Sequence, residues 1–227
     1  MPFTGREFTL KISGRLFDDE DLLPKYVDLI REFWGSGYRM TIVAGGGSLA
    51  RRYIELGRRM NVNESLLDML GISASRLNAQ LLAAALSDIA YLPIPTNLDE
   101  VFRAWSTGRL VVTGVFQPGQ STATVALLNS EFLGIKRLID CANIDAVYTS
   151  DPRTDPNAKR LDKVSINELM AMLRSRTIAG TYDLLDPWAL SIAQRSSITI
   201  YVVGCGKLDS LRRLITEGVS NGTVITP

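Results

Sequence analysis

Short apolar runs alternate along the chain with longer segments in which apolar residues recur every three or four positions. The short runs are rich in β-branched residues and predict strands, whereas the longer segments predict amphipathic helices. This alternation is typical of an α/β protein whose largely parallel sheet is covered on both faces. The predicted strands are Phe8 to Ile12, Met40 to Ala44, Leu110 to Thr113, Arg137 to Ala142, Thr199 to Val203 and Thr223 to Ile225.

The helix predictions rest on apolar spacing and on start signals, and we expect these helices to flank the sheet. Apolar residues at helical spacing predict a first helix between the first two strands, and a second helix follows the glycine run. A capping-box spacing from Ser165 to Glu168 predicts another helix start, and two Asp-Pro steps after Asp151 predict a loop. The apolar positions are Tyr26, Leu29, Ile30 and Phe33 in the first helix and Tyr53, Leu56 and Met60 in the second. Further helices are predicted over Ser73 to Ser87 and Leu98 to Thr107.

Length and charge narrow the possible functions. The chain has 227 residues, 46% of them hydrophobic, and 25 basic against 24 acidic residues give a formal charge of +1. Such a chain can form one sizeable core, and its balanced charge provides no overall field for nucleic acid or an anionic membrane. No apolar run approaches the roughly 18 to 20 residues that span a bilayer, and the residues up to Arg15 lack a signal-peptide segment. We therefore expect a single cytoplasmic domain.

Histidine is absent, so the commonest general base and metal ligand are unavailable to any mechanism. Cys141 and Cys205 match no zinc or redox spacing, and we interpret them as small buried apolar residues.

Three predicted strands end in glycine-bearing segments, and ligands of open α/β sheets gather beyond the carboxyl ends of the strands. The first segment, Leu10 to Arg15, reads Leu-Lys-Ile-Ser-Gly-Arg. Small residues after Lys11 would let a phosphate approach the backbone, and the lysine could hold a transferring phosphoryl group. Taken alone, this segment is better explained as an edge lysine followed by a glycine turn.

The second segment carries three consecutive glycines, Gly45 to Gly47, before a predicted helix. Free amides and the helix dipole attract an anion there, and three glycines are entropically costly to order, which favours a close-approach role. The segment matches neither the Walker pattern nor the dinucleotide fingerprint. Arg51 and Arg52 lie in the first turn, where cations oppose the dipole, and we expect Arg51 to bind an anion.

The third segment, from Val112 to Thr122, reads Val-Thr-Gly-Val-Phe-Gln-Pro-Gly-Gln-Ser-Thr and precedes an apolar helix that starts at Ala123. Its turn formers and hydroxyls could line a polar ligand. It could equally be a connecting loop with Ser121 or Thr122 as the helix N-cap, and the two roles are compatible.

Together with the segment from Asn143 to Pro152, these three segments resemble the amino acid kinase family in order and in spacing. Within that family the chain is most similar to the archaeal type of uridylate (UMP) kinase. The motifs that carry this likeness are Lys-Ile-Ser-Gly, Gly-Gly-Gly-x-x-Ala-Arg-x-Tyr-Ile, Asp-Met-Leu-Gly-Ile from Asp68, Pro-Gly-Gln-Ser-Thr, and Gly-Thr-Tyr-Asp-Leu-Leu-Asp-Pro from Gly180. The likeness covers nearly the whole chain.

The resemblance implies a three-layer α/β/α sandwich with a mostly parallel sheet, the amino acid kinase fold. It implies a UMP lobe over about residues 1–135 and an ATP lobe over about residues 136–227. The implied reaction transfers the γ-phosphoryl of ATP to UMP, with Mg²⁺ entering on ATP and no protein ligand for the metal that we can name. The implied assembly is a homo-oligomer, usually a hexamer.

Roles are carried over residue by residue. The resemblance makes Lys11, Arg51 and Asp145 the catalytic candidates: Lys11 neutralises the transferred phosphoryl, Arg51 lies beside the phosphates, and Asp145 orients basic groups. The residues implied to bind ATP are Lys11, Ser13, Gly14, Arg15, Gly47, Arg51, Ala142, Asn143, Tyr148 and Asp151. The residues implied to bind UMP are Gly46, Asp68, Phe116, Gln117, Pro118, Gly119, Gln120, Ser121 and Thr122. Gly46 would face the acceptor phosphate and Gly47 the donor.

The chain departs from the family pattern at three positions. It has Ala142 and Ala146 where the family usually has threonine and glycine, and Arg15 where archaeal members often have lysine. The first change removes a hydroxyl near the ATP nucleoside, and the second bears on the placement of Asp145.

Two other functions are compatible with this sequence. One is the same fold with another acceptor, such as carbamate, an amino acid carboxylate or isopentenyl phosphate, although the last normally requires a histidine. The other is a non-catalytic binding protein, since a molybdenum storage protein shares this fold. Asp68 and the Pro-Gly-Gln-Ser-Thr loop favour a nucleotide acceptor, whereas Lys11 and Asp145 favour an enzyme.

Overall fold

The structure is a computed structural model, and it describes residues 5–150, 155–175 and 185–227. Its strands are β1 (Glu7–Ile12), β2 (Arg39–Ala44), β3 (Val111–Thr113), β4 (Arg137–Ala142), β5 (Val147–Tyr148), β6 (Arg160–Leu161), β7 (Lys163–Ser165), β8 (Thr199–Gly204) and β9 (Thr223–Thr226). Its helices are α1 (Leu22–Gly35), α2 (Gly47–Arg59), α3 (Glu64–Ala85), α4 (Leu98–Ser106), α5 (Thr122–Phe132), α6 (Ile166–Ser175), α7 (Pro187–Arg195) and α8 (Leu208–Glu217).

Seven strands form one sheet in the order β3-β2-β1-β4-β8-β9-β7, and β5 and β6 form a separate antiparallel pair. Within the large sheet every neighbouring pair is parallel except β8 and β9. The mostly parallel α/β sheet predicted from the sequence is thus confirmed. Because β1 lies between β2 and β4 and runs parallel to both, the carboxyl ends of these strands share one edge.

Two apolar cores cover the two faces of the sheet, which gives three layers. On one face Phe8 and Leu10 of β1 pack with the predicted stripe of α1, including Tyr26 and Phe33. On the other face Leu138 of β4 and its neighbours pack with α5, α6 and α7. Alternate residues of a strand point to opposite faces, so one set of strands supplies both cores.

The prediction that the helices flank the sheet is wrong for α2. Tyr53, Leu56 and Met60 are 52%, 44% and 70% exposed, and the buried residue of this helix is Gly57. A Cβ on Gly57 would lie 2.5 Å from Leu67 Cδ2, so the missing side chain lets α2 approach α3 instead of the sheet. The apolar stripe of α2 therefore faces outward.

Helix starts follow local capping. Helix α3 begins at Glu64, earlier than the predicted Ser73, because the Asn63 side chain accepts a hydrogen bond from the Leu66 N–H at 3.0 Å. The capping box at α6 is confirmed, since the Glu168 carboxylate accepts from the Ser165 N–H at 2.8 Å. The two-residue strands β5 and β6 and the short β7 were not predicted from the pattern. Asp151 and the first part of its predicted loop lie outside the described residues.

Cys141 and Cys205 are both free and buried, as expected from their spacing. The hydroxyl of Tyr26 donates to the Cys205 carbonyl at 2.8 Å and lies 3.4 Å from Cys141 Sγ. Among the helices of the described ranges, none combines the length and the apolar character needed to cross a bilayer.

The segments that follow β1 and β2 pack directly against each other through glycines. A Cβ on Gly14 would lie 1.9 Å from the Gly47 nitrogen, and a Cβ on Gly47 would lie 2.3 Å from the Gly14 carbonyl oxygen. Gly47 also has a φ of +65°, in the left-handed region that favours glycine. Close approach, predicted as the role of the glycine run, thus occurs here between two backbone segments.

Replacing Gly14 by alanine should therefore destabilise the protein, because backbone and not a movable side chain occupies the space of the new Cβ. We expect a loss of about 1–3 kcal/mol in the free energy of unfolding, measured by chemical denaturation. Gly35→Ala is the matched control, since a Cβ at Gly35 meets nothing within 4 Å. Equal stability of the two variants would contradict the proposed backbone contact.

Candidate active site

The first feature of the shared sheet edge is a buried ion pair between neighbouring strands. Lys11 of β1 stands opposite Asp140 of β4 in the parallel register, and Lys11 Nζ lies 2.7 Å from Asp140 Oδ1. The Asp140 side chain is fully buried and that of Lys11 is 13% exposed. Burial alone would lower the pKa of Lys11, but the Asp140 carboxylate outweighs it and raises that pKa above the ordinary value. Lys11 is thus held as an ammonium at the strand exit.

Hydrogen bonds join the segments that follow β1, β2 and β4. The Ser13 N–H donates to the Cys141 carbonyl at 3.0 Å, and its hydroxyl donates to Asn143 Oδ1 at 2.9 Å. On the other side, the Gly45 N–H donates to the Ile12 carbonyl at 2.9 Å. The predicted Ser13 and Asn143 therefore meet, and the strand that carries Lys11 is fixed from both sides.

A cavity of about 490 Å³ opens beyond β1, β4 and β8. Five of the predicted site residues line it, together with Gly206 and Lys207, which the sequence did not single out. The predicted residues on its wall are Arg15, Ala142, Asn143, Asp145 and Tyr148. Asp151 lies outside the described residues, so its predicted place in this pocket stays a prediction.

Asp145 pairs with a basic group at the mouth of this cavity. Lys207 Nζ lies 2.8 Å from Asp145 Oδ2, and the Tyr148 hydroxyl donates to Asp145 Oδ1 at 2.9 Å. The hydrogen bond from Lys207 lowers the pKa of Asp145, against the opposing effect of its partial burial. Asp145 pairs with Lys207, whereas the carboxylate beside Lys11 belongs to Asp140. The orienting role that the resemblance implied for Asp145 stays a prediction.

Two arginines that were predicted to meet phosphates remain available for an anion. The side chains of Arg15 and Arg51 are exposed and make no hydrogen bond or ion pair with residues in the described part of the chain. Arg15 lines the cavity, whereas Arg51 lies in α2 just after the glycine run. An unpaired guanidinium presents several donors to a phosphate.

Helix α3 holds the N-terminal end of the segment from Phe116 to Thr122. We call this segment the acceptor loop. The Ser75 hydroxyl accepts from the Val115 N–H at 2.9 Å, and the Arg76 guanidinium donates to the Phe116 carbonyl at 2.8 Å. The predicted Asp68 accepts from the Gly119 N–H at 3.0 Å. These bonds place Asp68 and the acceptor loop together, as the sequence-based assignment required.

The same helix also fixes the glycine run. Asn78 is buried, and its side-chain amide donates to the Gly45 carbonyl at 2.8 Å. A Cβ on Gly46 would lie 2.6 Å from Ala50 Cβ and 3.2 Å from the Gly71 carbonyl of α3. Helix α3 therefore sets the spacing between the glycine run and the acceptor loop.

The far end of the acceptor loop leads into α5. Ser121 is the N-cap, and its hydroxyl oxygen accepts from the Thr124 N–H at 3.0 Å. Gln120 Oε1 is buried without a hydrogen-bond partner among the described residues. A buried acceptor that receives no hydrogen bond costs free energy, so Gln120 Oε1 lacks the donor that such an oxygen normally has.

The structure thus adds Asp140, Lys207, Asn78 and Arg76 to the residues found by sequence reasoning. The alternation of strand residues could have placed Asp140 beside Lys11 only if the pairing of β1 with β4 had been known. The described residues contain no cluster of three or more His, Cys, Asp or Glu side chains placed to hold a metal ion.

Comparison with known proteins gives the context for this geometry. The model of the amino acid kinase family matches residues 8–204. The chain is 47% identical over 217 residues to a uridylate kinase of Pyrobaculum arsenaticum, covering 96% of this chain and 98% of that protein. It is 45% identical over 226 residues to a uridylate kinase of Sulfurisphaera tokodaii, covering 97% and 99%.

A solved structure agrees with this result. The crystal structure of uridylate kinase from Archaeoglobus fulgidus superposes with a TM-score of 0.82 at 30% sequence identity, and the match covers 96% of this chain and 99% of that one. The three-layer sandwich, the joined strand exits and the family match over most of the sequence agree with one another. The chain belongs to the amino acid kinase family.

Proposed function

We propose that this protein is a uridylate kinase, which transfers the γ-phosphoryl of ATP to UMP and gives UDP and ADP, a step of pyrimidine nucleotide biosynthesis. The observation that carries the proposal is the position of Lys11. Lys11 lies near the carboxyl end of β1. On one side of β1 are the carboxyl ends of β4 and β8, next to the cavity. On the other side are those of β2 and β3, which lead to the glycine run and the acceptor loop. A buried ammonium thus stands between two candidate substrate sites.

We assign ATP to the cavity beside β4. Its wall combines the cations Arg15 and Lys207 with the tyrosine ring of Tyr148 and with small backbone segments at Gly204 and Gly206. Cations suit the donor phosphates, and an apolar wall suits a nucleoside. This supports the proposed division into a C-terminal ATP lobe and an N-terminal UMP lobe.

We assign UMP to the space between α3 and the acceptor loop. Asp68 holds Gly119 there, and Gln120 lies on the same loop. Gly46 and Gly47 lie at the start of α2, where backbone N–H groups and the helix dipole favour a phosphate. The two phosphates would then meet at the glycine run.

Phosphoryl transfer needs in-line positioning and stabilisation of spread negative charge more than a strong base. Lys11 supplies a buried positive charge whose effect is strengthened by the low local dielectric. The cationic side chains of Arg15 and Arg51 are free to move onto the phosphates. Asp140 acts by keeping Lys11 charged and in place, so the absence of histidine from the chain is no obstacle.

Mg²⁺ would enter bound to ATP as part of the donor substrate. Magnesium often keeps substrate phosphates and water among its ligands, so a dedicated cage of protein carboxylates is not required. The cavity offers the carboxylates of Asp19 and Asp145 on its wall. The ion would neutralise charge on the donor phosphates.

The choice of acceptor can be tested on the purified protein. With ATP and Mg²⁺ we expect phosphorylation of UMP with a kcat/KM at least about tenfold above those for CMP, AMP and GMP, because the proposed site hydrogen-bonds the base. Product formation measured by chromatography decides the matter. Equal turnover of all four nucleotides, or of none, contradicts the assignment.

Lys11→Ala should lower kcat by about 10²–10³, since it removes charge stabilisation that is needed mainly in the transition state. Because this variant leaves Asp140 buried without a partner, the double variant Lys11→Met with Asp140→Asn serves as the folded reference. Removing both charges of a buried pair is tolerated better than removing one. Full activity of the folded double variant would remove Lys11 from the mechanism.

The pH dependence tests the role of Asp140. The pKa of Lys11 lies above its ordinary 10.5, so the contribution of Lys11 to stability is complete below that value and is lost as pH rises through the raised pKa. In Asp140→Asn burial remains without the carboxylate, so the pKa of Lys11 should fall. The alkaline limb of kcat/KM against pH should move toward neutral.

Asp209→Asn is the control for that experiment, because Asp209 is a 94% exposed carboxylate that pairs with Arg212 on α8. Its pH profile should match that of the unaltered protein. An alkaline limb that does not move in Asp140→Asn would contradict the proposed action of Asp140.

We also propose that the protein forms a homo-oligomer, with a hexamer as the expected state, and that the exposed face of α2 and α3 is a contact between subunits. Several large apolar side chains exposed on two adjacent helices suit an interaction site. The exposed large apolar residues of this face are Tyr53, Leu56, Met60, Leu66, Met69, Leu70, Leu77 and Leu81. The cytoplasmic location stays a prediction.

Replacing Leu77 and Leu81 by lysine should lower the molar mass of the assembly in solution, because a charge cannot be buried cheaply in an apolar contact. Light scattering after size-exclusion chromatography measures the mass. Leu92→Lys is the control, since Leu92 is 49% exposed but lies outside both helices. An unchanged mass in the double variant would show that this face is not the contact.

A further inference from the structure

One carboxylate joins the far end of the acceptor loop to helix α7. Asp186 Oδ1 accepts from the Ala189 N–H at 2.8 Å and so caps α7. Asp186 Oδ2 accepts from the Ser121 hydroxyl at 2.5 Å and from the Thr124 hydroxyl at 2.9 Å. We propose, on the basis of the proposed function, that Asp186 is a positioning residue that orients Ser121 for recognition of the base of UMP.

Helix capping does not account for the second oxygen of Asp186. An N-cap needs one side-chain acceptor, and asparagine or serine serve as well as aspartate at that position. The other oxygen binds two hydroxyls of a distant segment, one from Ser121 at the N-cap of α5 and one from the buried Thr124. The charge and the second acceptor of Asp186 are therefore directed at the acceptor loop.

This contact fixes the direction of the Ser121 hydroxyl. A hydroxyl has one proton and two lone pairs, whereas an ionised carboxylate only accepts. The Ser121 proton points to Asp186, and one lone pair of Ser121 accepts from the Thr124 N–H at 3.0 Å. What remains for a ligand is one lone pair, so Ser121 presents an acceptor.

An acceptor at this place discriminates between pyrimidines. The ring nitrogen N3 of uracil carries a hydrogen and donates, whereas the same nitrogen of cytosine accepts. An acceptor placed against ring position 3 favours uracil, and it faces the N3 lone pair when cytosine enters, which is costly.

Asp186→Asn separates capping from orientation. Asparagine keeps an oxygen for the Ala189 N–H, while its amide N–H₂ would donate to Ser121 Oγ and release the hydroxyl proton toward the ligand. We expect the ratio of kcat/KM for UMP to that for CMP to fall about tenfold, the size of one hydrogen bond. The KM for ATP and the melting temperature should stay close to those of the unaltered protein.

Ser121→Ala and the double variant test whether Asp186 acts through Ser121. If it does, adding Asp186→Asn to Ser121→Ala should change the UMP to CMP ratio no further, because the oriented hydroxyl is already gone. Asp209→Asn, an exposed carboxylate on α8, is the matched control and should leave the ratio unchanged.

The outcomes separate this proposal from the proposed function. If the unaltered protein phosphorylates UMP and Asp186→Asn leaves the nucleotide ratio unchanged, the positioning role is overturned and the kinase assignment stands. If the ratio falls only together with the melting temperature and the KM for ATP, the role of Asp186 is structural and the proposal is likewise overturned. Failure of the unaltered protein to phosphorylate UMP overturns both.

Discussion

The contact between the backbone of Gly14 and that of Gly45 and Gly47 is the constraint on which the site depends. A Cβ on Gly14 would come within 1.9 Å of backbone and one on Gly47 within 2.3 Å, so neither position has room for a side chain. This approach, together with the hydrogen bond from the Ser48 N–H to Asp18 Oδ2 at 3.3 Å, brings the segment after β1 next to the start of α2. The proposed donor and acceptor phosphates can then meet within reach of Lys11, because the strand exits are joined before any ligand binds.

Helix α3 sets the distance between the glycine run and the acceptor loop. Its side chains hold the glycine run through Asn78 and the acceptor loop through Asp68, Ser75 and Arg76. Because both sets of bonds come from one continuous helix, this helix sets the separation of the two segments. The outward face of the same helix carries exposed leucines, and contact between subunits there would stabilise the element that spaces the proposed acceptor site.

Charge is distributed in two distinct ways across the cleft. Lys11 is buried and held by Asp140, which preserves its charge and limits its movement, whereas Arg15 and Arg51 are exposed and unpaired within the described residues. A fixed charge suits a transition state whose position does not vary, since it needs no reorganisation during the reaction. Exposed, unpaired cations suit substrates that must enter and leave.

The sequence by itself determined the class of the fold, the strands β1, β2, β3, β4, β8 and β9 and the glycine run, because local periodicity and turn chemistry encode them. The roles of Lys11 and of the acceptor loop came from the resemblance to a family. The sequence did not determine that α2 packs on α3, that Asp140 stands beside Lys11, or that Asp145 pairs with Lys207. Those features depend on strand order and on helix packing between residues far apart in the chain. The glycine run shows both sides: its residues predicted a close approach, and only the tertiary structure identified Gly14 as the partner.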